Sequence, residues 1–253
     1  MKKVCLLTLM LICGAMVSLQ AQDAAALLEA ANTSYESGDN DAALKGYQAV
    51  LDADASNYEA AWKLSRSYVD LGETFDDKDK RKEYYQKGME FAEKATQINP
   101  AGAKGFLSMS IAVGRVALDA GAKERVRLSK EIKKNVDKSL ELDDTDDIAW
   151  HVLGRWHRRL ATLSWIEKRF ANMFLGGVPK EASVDESANC FEKAINLHDT
   201  YINHYLELGI TYMELDRKAD AKVQFEKVLS LPETESDDAE HKQTAQKLLK
   251  KVS

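Results

Sequence analysis

The stretch "YLELGITYMELDRKADAKVQFEKVLSLP", residues 205–232, carries the residue spacing that decides the fold. Its aromatic, small and aliphatic residues recur at helical intervals, in the order Tyr205, Leu208, Gly209, Tyr212, Ala221, Phe225 and Pro232. Residues three and four positions apart share one face of a helix, so this order predicts two helices that pack through these faces. Glycine within a helix costs about 1 kcal/mol relative to alanine, and Gly209 therefore indicates that a neighbouring helix passes close to it.

The same order of residues resembles the tetratricopeptide repeat, a helix–turn–helix unit that stacks on its neighbours. A second match lies near the N-terminus, where "YESGDNDAALKGYQAVLDADASN", residues 35–57, resembles the second half of the unit. Gly38 stands at its turn, and Ala43 and Tyr47 occupy the alanine and aromatic positions. Matches at opposite ends of the chain indicate an array of repeats.

The whole chain has the composition of a helical protein. Three prolines interrupt a sequence with apolar residues three and four apart, and strand-like alternation is absent. We therefore predict an all-α fold, a right-handed superhelical array of about five tetratricopeptide-like helix pairs with a C-terminal capping helix. The approximate repeats are residues 24–57, 58–101, 102–145, 146–200 and 201–234, and the capping helix covers residues 237–252.

Two long interruptions, residues 73–83 and 164–182, are interpreted as longer loops inside the repeats, with the helix after the first one beginning at Tyr84, and the sequence leaves their local geometry open. If the second forms a helix of its own, either Trp165, Arg169 and Met173 or Ile166, Phe170 and Phe174 would align on one face.

The first residues of the chain, 1–21, have the pattern of a secretory signal peptide. Two lysines precede an apolar run from Val4 to Leu19, and small and polar residues surround Ala21. The run is shorter than the ~20 residues that span a bilayer, which favours cleavage over a membrane anchor. We therefore expect a mature domain of residues 22–253, exported to the periplasm of a Gram-negative bacterium.

Charge and cysteine content exclude two further classes. The full chain holds 41 acidic and 35 basic residues, and loss of Lys2 and Lys3 with the signal would leave a formal charge of −8. Nucleic-acid phosphates demand positive charge, so we predict no nucleic-acid partner and interpret the basic run 122–138 as a solvated helix face. Cys190 would remain as a single cysteine, which rules out an intramolecular disulfide, and we predict that it packs in the fold.

Catalytic and metal-binding motifs are missing from the sequence. It contains no nucleophile elbow, phosphate-binding loop or dinucleotide fingerprint, so we predict that the protein is not an enzyme and has no cofactor. His151 and His157 are six residues apart, and His198 and His204 stand on either side of a predicted turn. Neither spacing is that of a zinc motif, and the sequence therefore predicts no metal site.

A narrower family resemblance covers residues 82–231. The segments "NVDKSLEL", "AWHVLGRW", "LSWIEK" and "SANCFEKAINL" resemble the domain of the regulator of microtubule dynamics family. The resemblance implies a non-enzymatic helical domain with a groove; eukaryotic members are associated with microtubules and organelle membranes, and lipid binding has been proposed within the family. Because this chain begins with an export signal, we carry over the fold and the groove and not the cellular role.

The first helix of each repeat lines the concave wall of such an array. The residues expected on this wall, which are the binding candidates, are Trp62, Arg66, Ile111, Arg115, His151, Arg155, Arg158, Arg159, Ile210 and Met213. The residues assigned to packing are Ala43, Tyr47, Trp150, Leu153, Gly154, His157, Leu208, Gly209, Tyr212, Ala221 and Phe225. The tryptophans of residues 149–170 are accordingly predicted to belong to the fold.

Two interpretations of the wall arginines remain open. Arginine binds carboxylate and phosphate through paired hydrogen bonds, and apolar flanks suit a peptide or an acyl chain. Alternatively, the arginines pair with acids of the same chain, such as Asp70, Glu207 and Glu214, or face solvent. The leading hypothesis is an exported scaffold that binds a peptide or protein partner in its groove. The alternative is a lipid-binding or lipid-transfer module that binds phospholipid and contacts membranes peripherally, and the oligomeric state is left open.

Overall fold

A computed structural model of the chain describes residues 23–174 and 177–252. Within them every regular element is an α-helix, which confirms the predicted fold class. The predicted signal segment, residues 1–21, lies outside the described residues. The helices are α1 (23–36), α2 (Asn40–Ala53), α3 (Tyr58–Glu73), α4 (Lys78–Ile98), α5 (Ala103–Asp119), α6 (Ala122–Leu142), α7 (Asp147–Ala161), α8 (Trp165–Phe174), α9 (Val184–Leu197), α10 (Ile202–Glu214), α11 (Lys218–Ser230) and α12 (Asp238–Val252).

None of the helices in the described segments combines the length and the apolar character that crossing a membrane requires.

Side-chain caps explain where several helices begin. The carboxylate of Asp77 accepts the backbone N–H groups of Asp79 and Lys80, and the hydroxyl of Ser183 accepts those of Asp185 and Glu186. These bonds satisfy N–H groups that have no partner within the first helical turn.

The two interruptions of the repeat pattern have different structures. The first is short, because α4 begins at Lys78 and not near residue 84, so most of the charged run is helical. The second contains α8, which starts with a reciprocal cap between Ser164 and Glu167. The Ser164 N–H donates to the Glu167 carboxylate over 2.9 Å, and the Glu167 N–H donates to the Ser164 hydroxyl over 3.3 Å.

The chain divides into two compact units, one ending at Ala112 and the other beginning at Val113. In the first unit, α3 packs on both α2 and α4. A Cβ atom at Gly46 would stand 2.7 Å from the Cβ of Ala31, so α1 and α2 pack nearly backbone to backbone. The fully enclosed core of this unit consists of Ala31, Ala43, Tyr47, Val50, Leu51, Ala60, Ala61, Leu64 and Ala95.

In the second unit, α7 packs on α6 and α9, and α10 packs on α9, α11 and α12. Its largest described core consists of Ala188, Phe191, Ile202, Tyr205, Leu206, Leu208, Tyr212, Ala221, Phe225, Val228, Leu231 and Ala245. Cys190 is also buried, and burial raises the pKa of its thiol to about 12, so it stays protonated at neutral pH.

The glycines of the repeat pattern lie where aromatic rings cross their helices. A Cβ atom at Gly209 would stand 2.5 Å from Cε1 of Phe225, and one at Gly154 would stand 3.0 Å from Cζ of Phe191. Both rings are fully buried and cannot swing into solvent. The helix interior therefore tolerates glycine here because the second helix of the pair occupies the space of a side chain.

The residues assigned to packing are buried in the structure, with one exception. Trp150 is half-buried: its indole N–H donates to the Asp144 carbonyl over 2.8 Å, and the Lys193 ammonium stands 3.9 Å from its ring centre.

The other two tryptophans of residues 149–170 differ in their exposure to solvent. Trp156 is buried and donates to the Ser129 carbonyl, whereas Trp165 is 69% exposed, so the prediction that it belongs to the fold is wrong.

Candidate functional site

The C-terminal half of α7 presents a group of guanidinium groups. Arg155, Arg158 and Arg159 lie within about one helical turn of one another, and Arg125 of α6 lies close enough to Arg159 to lower its pKa. We call these four residues the arginine cluster.

Arg158 is committed to an interaction within the chain. Its guanidinium bonds to the carboxylate of Glu207 on α10, to the Glu207 carbonyl over 2.7 Å and to the Thr211 hydroxyl over 3.0 Å. Only 16% of the Arg158 side chain and 11% of the Glu207 side chain are exposed. Burial alone would raise the pKa of Glu207, but Arg158 and Arg155 outweigh it and lower that pKa, so the buried carboxyl is ionised. Arg158 therefore joins α7 to α10 and is not available to a ligand.

Arg155 and Arg159 are the accessible members of the arginine cluster. Arg155 stands 3.6 Å from the second Glu207 oxygen and leaves 39% of its side chain exposed. Arg159 is exposed and forms no hydrogen bond or ion pair with any residue that the structure describes. Partial burial, and then the neighbouring Arg125 and Arg155, lower the pKa of Arg159. The guanidinium groups of Arg125 and Arg155 therefore repel the positive charge of Arg159.

The acids next to the arginine cluster do not balance it. The carboxylate of Glu207 faces Arg158 and Arg155, and that of Glu167 pairs with Arg125 over 3.0 Å. Among the residues that the structure describes, four guanidinium groups thus pair with two carboxylates, which leaves two positive charges in excess. Such a surface favours an anion.

His151 does not line an exposed wall as the sequence predicted. It is buried, its ring packs edge-on against Phe191, and its Nδ1 stands 2.9 Å from Nδ1 of His204. The pKa of His151 is lowered well below its usual value, mainly by burial. The neighbouring positive groups lower it further, in the order His204, Arg155, Arg158 and Arg115, so the imidazole is neutral.

Ile210 and Met213 are half-buried and pack against the core of the second unit, where their role is structural. Arg115 is half-buried as well, and it lies close enough to contribute to the lowered pKa of His151.

Three other candidates belong to the first unit and are described by themselves. Trp62 packs against the core of that unit, and Ile111 is half-buried. Arg66 stands 3.8 Å from Asp70, whose carboxylate also accepts the Tyr35 hydroxyl over 2.9 Å. Asp70 is one of the three acids named in the alternative interpretation, and Arg66 lies beside it.

Sequence reasoning missed two features of the second unit. Arg125 falls in the basic run that was interpreted as a solvated face, although its pairing with Glu167 ties α6 to α8. The exposed apolar residues of α8, namely Trp165, Ile166 and Met173, were noted only as aligned positions. Both features depend on α8. The spacing of Ser164 and Glu167, which is typical of a capping box, was the sequence signal that could have located the start of this helix.

Comparison with known proteins identifies the relatives of this chain. The sequence model described as "Regulator of microtubule dynamics protein 1-3" matches residues 27–253. Regulator of microtubule dynamics protein 1 of Caenorhabditis elegans is 28% identical over 190 residues, which are 75% of this chain and 83% of that protein. Regulator of microtubule dynamics protein 3 of Rattus norvegicus is 28% identical over 199 residues, 77% of this chain and 42% of that protein. The chain thus spans less than half the length of the rat protein.

Solved structures support the helical-repeat fold. A thermophilic TPR protein of Thermus thermophilus superposes with a TM-score of 0.67 and 17% identity over 88% of this chain and 98% of its own. The MamA protein superposes with a TM-score of 0.50 and 18% identity over 87% of this chain and 96% of its own. At such identities the likeness shows the fold alone, and neither comparison indicates a catalytic family.

Proposed function

The chain belongs to the regulator of microtubule dynamics family, and from that premise we propose that it is a non-enzymatic binding module whose arginine cluster holds the carboxylates of a peptide or protein partner. Helical repeats of this type offer extended surfaces for partners, and the fold is therefore consistent with a scaffold. Following the expected signal peptide, we place the module in the periplasm of a Gram-negative bacterium. The microtubule role in the relatives' names is not part of the proposal.

The observation that carries the proposal is the state of Arg159. It is exposed and without an ion-pair partner among the described residues, although three other guanidinium groups surround it. An incoming carboxylate would remove this repulsion and would accept paired hydrogen bonds from a planar donor. Arg155 and Arg159 are four positions apart on α7, a separation of about 6 Å that suits two acidic side chains of one peptide.

The structure also decides which arginines to change. Reversing Arg158 would remove the partner of buried Glu207 and damage the fold, so loss of binding in such a variant would prove nothing. We therefore keep Arg158 and reverse Arg155→Glu and Arg159→Glu together. Because Arg155 also faces Glu207, binding is compared only if the melting temperature of the variant shows that it is folded at the assay temperature. The probe is an array of peptides in which each acidic peptide has a counterpart with Gln and Asn in place of Glu and Asp, applied to residues 22–253.

We expect the unchanged protein to bind acidic peptides in preference to their amide counterparts, and the double reversal to weaken that binding at least about tenfold. This is the effect of losing one or two charged hydrogen bonds. The matched control is Arg127→Glu with Lys134→Glu, which makes the same change of charge on an exposed face of α6. Equal binding of acidic and amide peptides, or equal loss in the control, would contradict the proposal.

A second candidate function, contact with phospholipid, is favoured by the surface of α8. Its side chains Trp165, Ile166 and Met173 are 69%, 71% and 60% exposed, and Lys168 and Arg169 lie beside them. Tryptophan and basic residues next to an apolar face are typical of helices that lie in a membrane interface. The area is small, so the affinity for a membrane would be weak and would require anionic lipid.

Co-sedimentation with vesicles tests this candidate. We expect binding to vesicles that contain phosphatidylglycerol, weaker binding to pure phosphatidylcholine, and loss of both with Trp165→Glu and Ile166→Glu. Val223→Glu on α11 is the control, because Val223 is an equally unpartnered apolar residue with 57% exposure. If the α8 variant sediments with the anionic vesicles as the unchanged protein does, α8 is not a membrane contact.

A further inference from the structure

Three helix ends of the second unit bring one carboxylate and two imidazoles together. Asp147 lies in the first turn of α7, His198 caps the C-terminus of α9, and His204 lies in the first turn of α10. The Asp147 Oδ2 atom stands 3.3 Å from Nδ1 of His198 and 2.9 Å from Nε2 of His204. All three potential ligand atoms lie within 4.8 Å of one another.

From this geometry we infer that Asp147, His198 and His204 form a binding site for a divalent transition-metal ion, with zinc as the best match. Two ligands bonded to one zinc ion at 2.0–2.1 Å in tetrahedral geometry stand about 3.3 Å apart. The Asp147–His198 separation already has this value, and the Asp147–His204 pair needs to open by about 0.4 Å. Two imidazoles and one carboxylate match the ligand set that zinc accepts and that magnesium and calcium do not prefer.

His151 supplies a feature that metal sites use and that simple ion pairing would not need. Its Nδ1 stands 2.9 Å from the other ring nitrogen of His204, in a position to accept a hydrogen bond. Without metal, Asp147 accepts the Nε2–H of His204, so the bare Nδ1 of His204 accepts the Nδ1–H of His151. With metal on Nε2, the proton of His204 moves to Nδ1, which donates to His151, and His151 carries its proton on Nε2. Metal-binding histidines almost always make such a second hydrogen bond, which fixes the ring.

Two of the proposed ligands are held rigidly by the fold, and the third is accessible to solvent. The His204 side chain is fully buried and Asp147 is 21% exposed, so these two ligands are held by the fold. The His198 side chain is 48% exposed and can rotate to close the coordination shell. Three protein ligands leave the fourth zinc position open for water or for a group from a partner.

A second group of candidate ligands, Asp237, Asp238 and His241, carries less weight. It has one imidazole, and the Asp238 carboxylate already accepts the backbone N–H groups of Thr234 and Glu235 over 2.8 Å.

The test uses the full chain freed of metal with a chelator and titrated with zinc chloride in a calorimeter. We expect saturable binding of one zinc ion per chain and a rise in the melting temperature with zinc, because the site exists only in the folded state. Magnesium chloride should produce neither effect. Cobalt chloride should produce the visible absorption of four-coordinate cobalt(II).

His198→Ala removes the exposed ligand without disturbing the core, and we expect it to abolish both zinc binding and the cobalt absorption. Asp199→Ala, the loss of an exposed carboxylate next in the chain, and His241→Ala should bind zinc as the unchanged protein does. The inference is overturned if the unchanged protein shows no saturable binding, or if His198→Ala binds as tightly as Asp199→Ala. Loss of zinc binding in His241→Ala alone would move the site to α12 and overturn it equally. Peptide binding by the arginine cluster does not depend on any of these outcomes.

Discussion

Replacing Glu207 with leucine is expected to lower the free energy of unfolding by about 3 kcal/mol or more, although leucine is an apolar residue of similar size in a buried position. The variant leaves the guanidinium of Arg158, whose side chain is 16% exposed, without its counter-charge. Breaking a buried pair by removing one partner costs about 3–5 kcal/mol, and the residual exposure of Arg158 places the effect near the lower end. Urea denaturation followed by circular dichroism measures the loss.

A second variant separates the ion pair from the packing of α7 on α10. Arg158→Met with Glu207→Leu removes both charges and keeps most of the volume, and we expect it to recover most of the stability that Glu207→Leu loses. Arg158→Met alone should also be destabilised, because the guanidinium that then remains beside Glu207 is the more distant Arg155. If the double variant is as unstable as Glu207→Leu, the cost arises from packing and not from the buried charge.

The Arg158–Glu207 pair also makes the stability of the protein depend on pH, with lower stability in acid. The pKa of Glu207 in the folded protein is lower than its ordinary value of 4.5. The folded state therefore binds fewer protons than the unfolded state at acid pH, and the stabilisation is complete above pH ~4.5 and lost as the pH falls through the folded pKa. The difference in stability between the unchanged protein and Glu207→Leu should thus shrink in acid.

Replacing Gly209 with alanine should destabilise the protein, although alanine is the better helix former. The added Cβ would stand 2.5 Å from a ring atom of Phe225, which is fully buried. Overpacking of this kind costs about 1–3 kcal/mol, and the gain in helix propensity of about 1 kcal/mol offsets part of it. We therefore expect a net loss of up to about 2 kcal/mol in urea denaturation.

Gly114 provides the matched control for Gly209. It also lies within a helix, α5, but a Cβ there would meet no atom within 4 Å. Gly114→Ala should therefore raise the free energy of unfolding by up to about 1 kcal/mol. Adding Phe225→Leu to Gly209→Ala removes the ring atoms in conflict and should relieve the strain. Equal effects of alanine at Gly114 and Gly209 would show that propensity alone governs both sites.

Much of the fold was predictable because its determinants are local. The spacing of Tyr205, Gly209 and Tyr212 is a property of one helix, and so is the capping pattern at Ser183. Errors arose where a local pattern was ambiguous: the charged run before Tyr84 was interpreted as a loop but is the first part of α4. Charged residues such as lysine, arginine and glutamate avoid burial, but they form helices readily. The polarity of the run therefore could not show where the helix begins.

The candidate site was predictable only in its residue types. Arg155, Arg158 and Arg159 stand together in the sequence with nothing to distinguish them, yet Arg158 is paired and half-buried while Arg159 is exposed and unpaired with any described residue. The difference comes from Glu207, which lies 49 residues after Arg158 along the chain and is brought beside it by the packing of α7 and α10.

By itself, then, the sequence determined that this chain forms paired helices, and where glycine permits one helix to approach the next, because helical periodicity and side-chain size act within a few residues. Only the tertiary structure decided which arginine offers its charge outward and which imidazoles meet Asp147. Those outcomes depend on contacts between helices, and the two histidines whose spacing matches no metal motif are joined by a carboxylate from α7. Pairing and coordination depend on distances in space, which spacing along the chain does not specify.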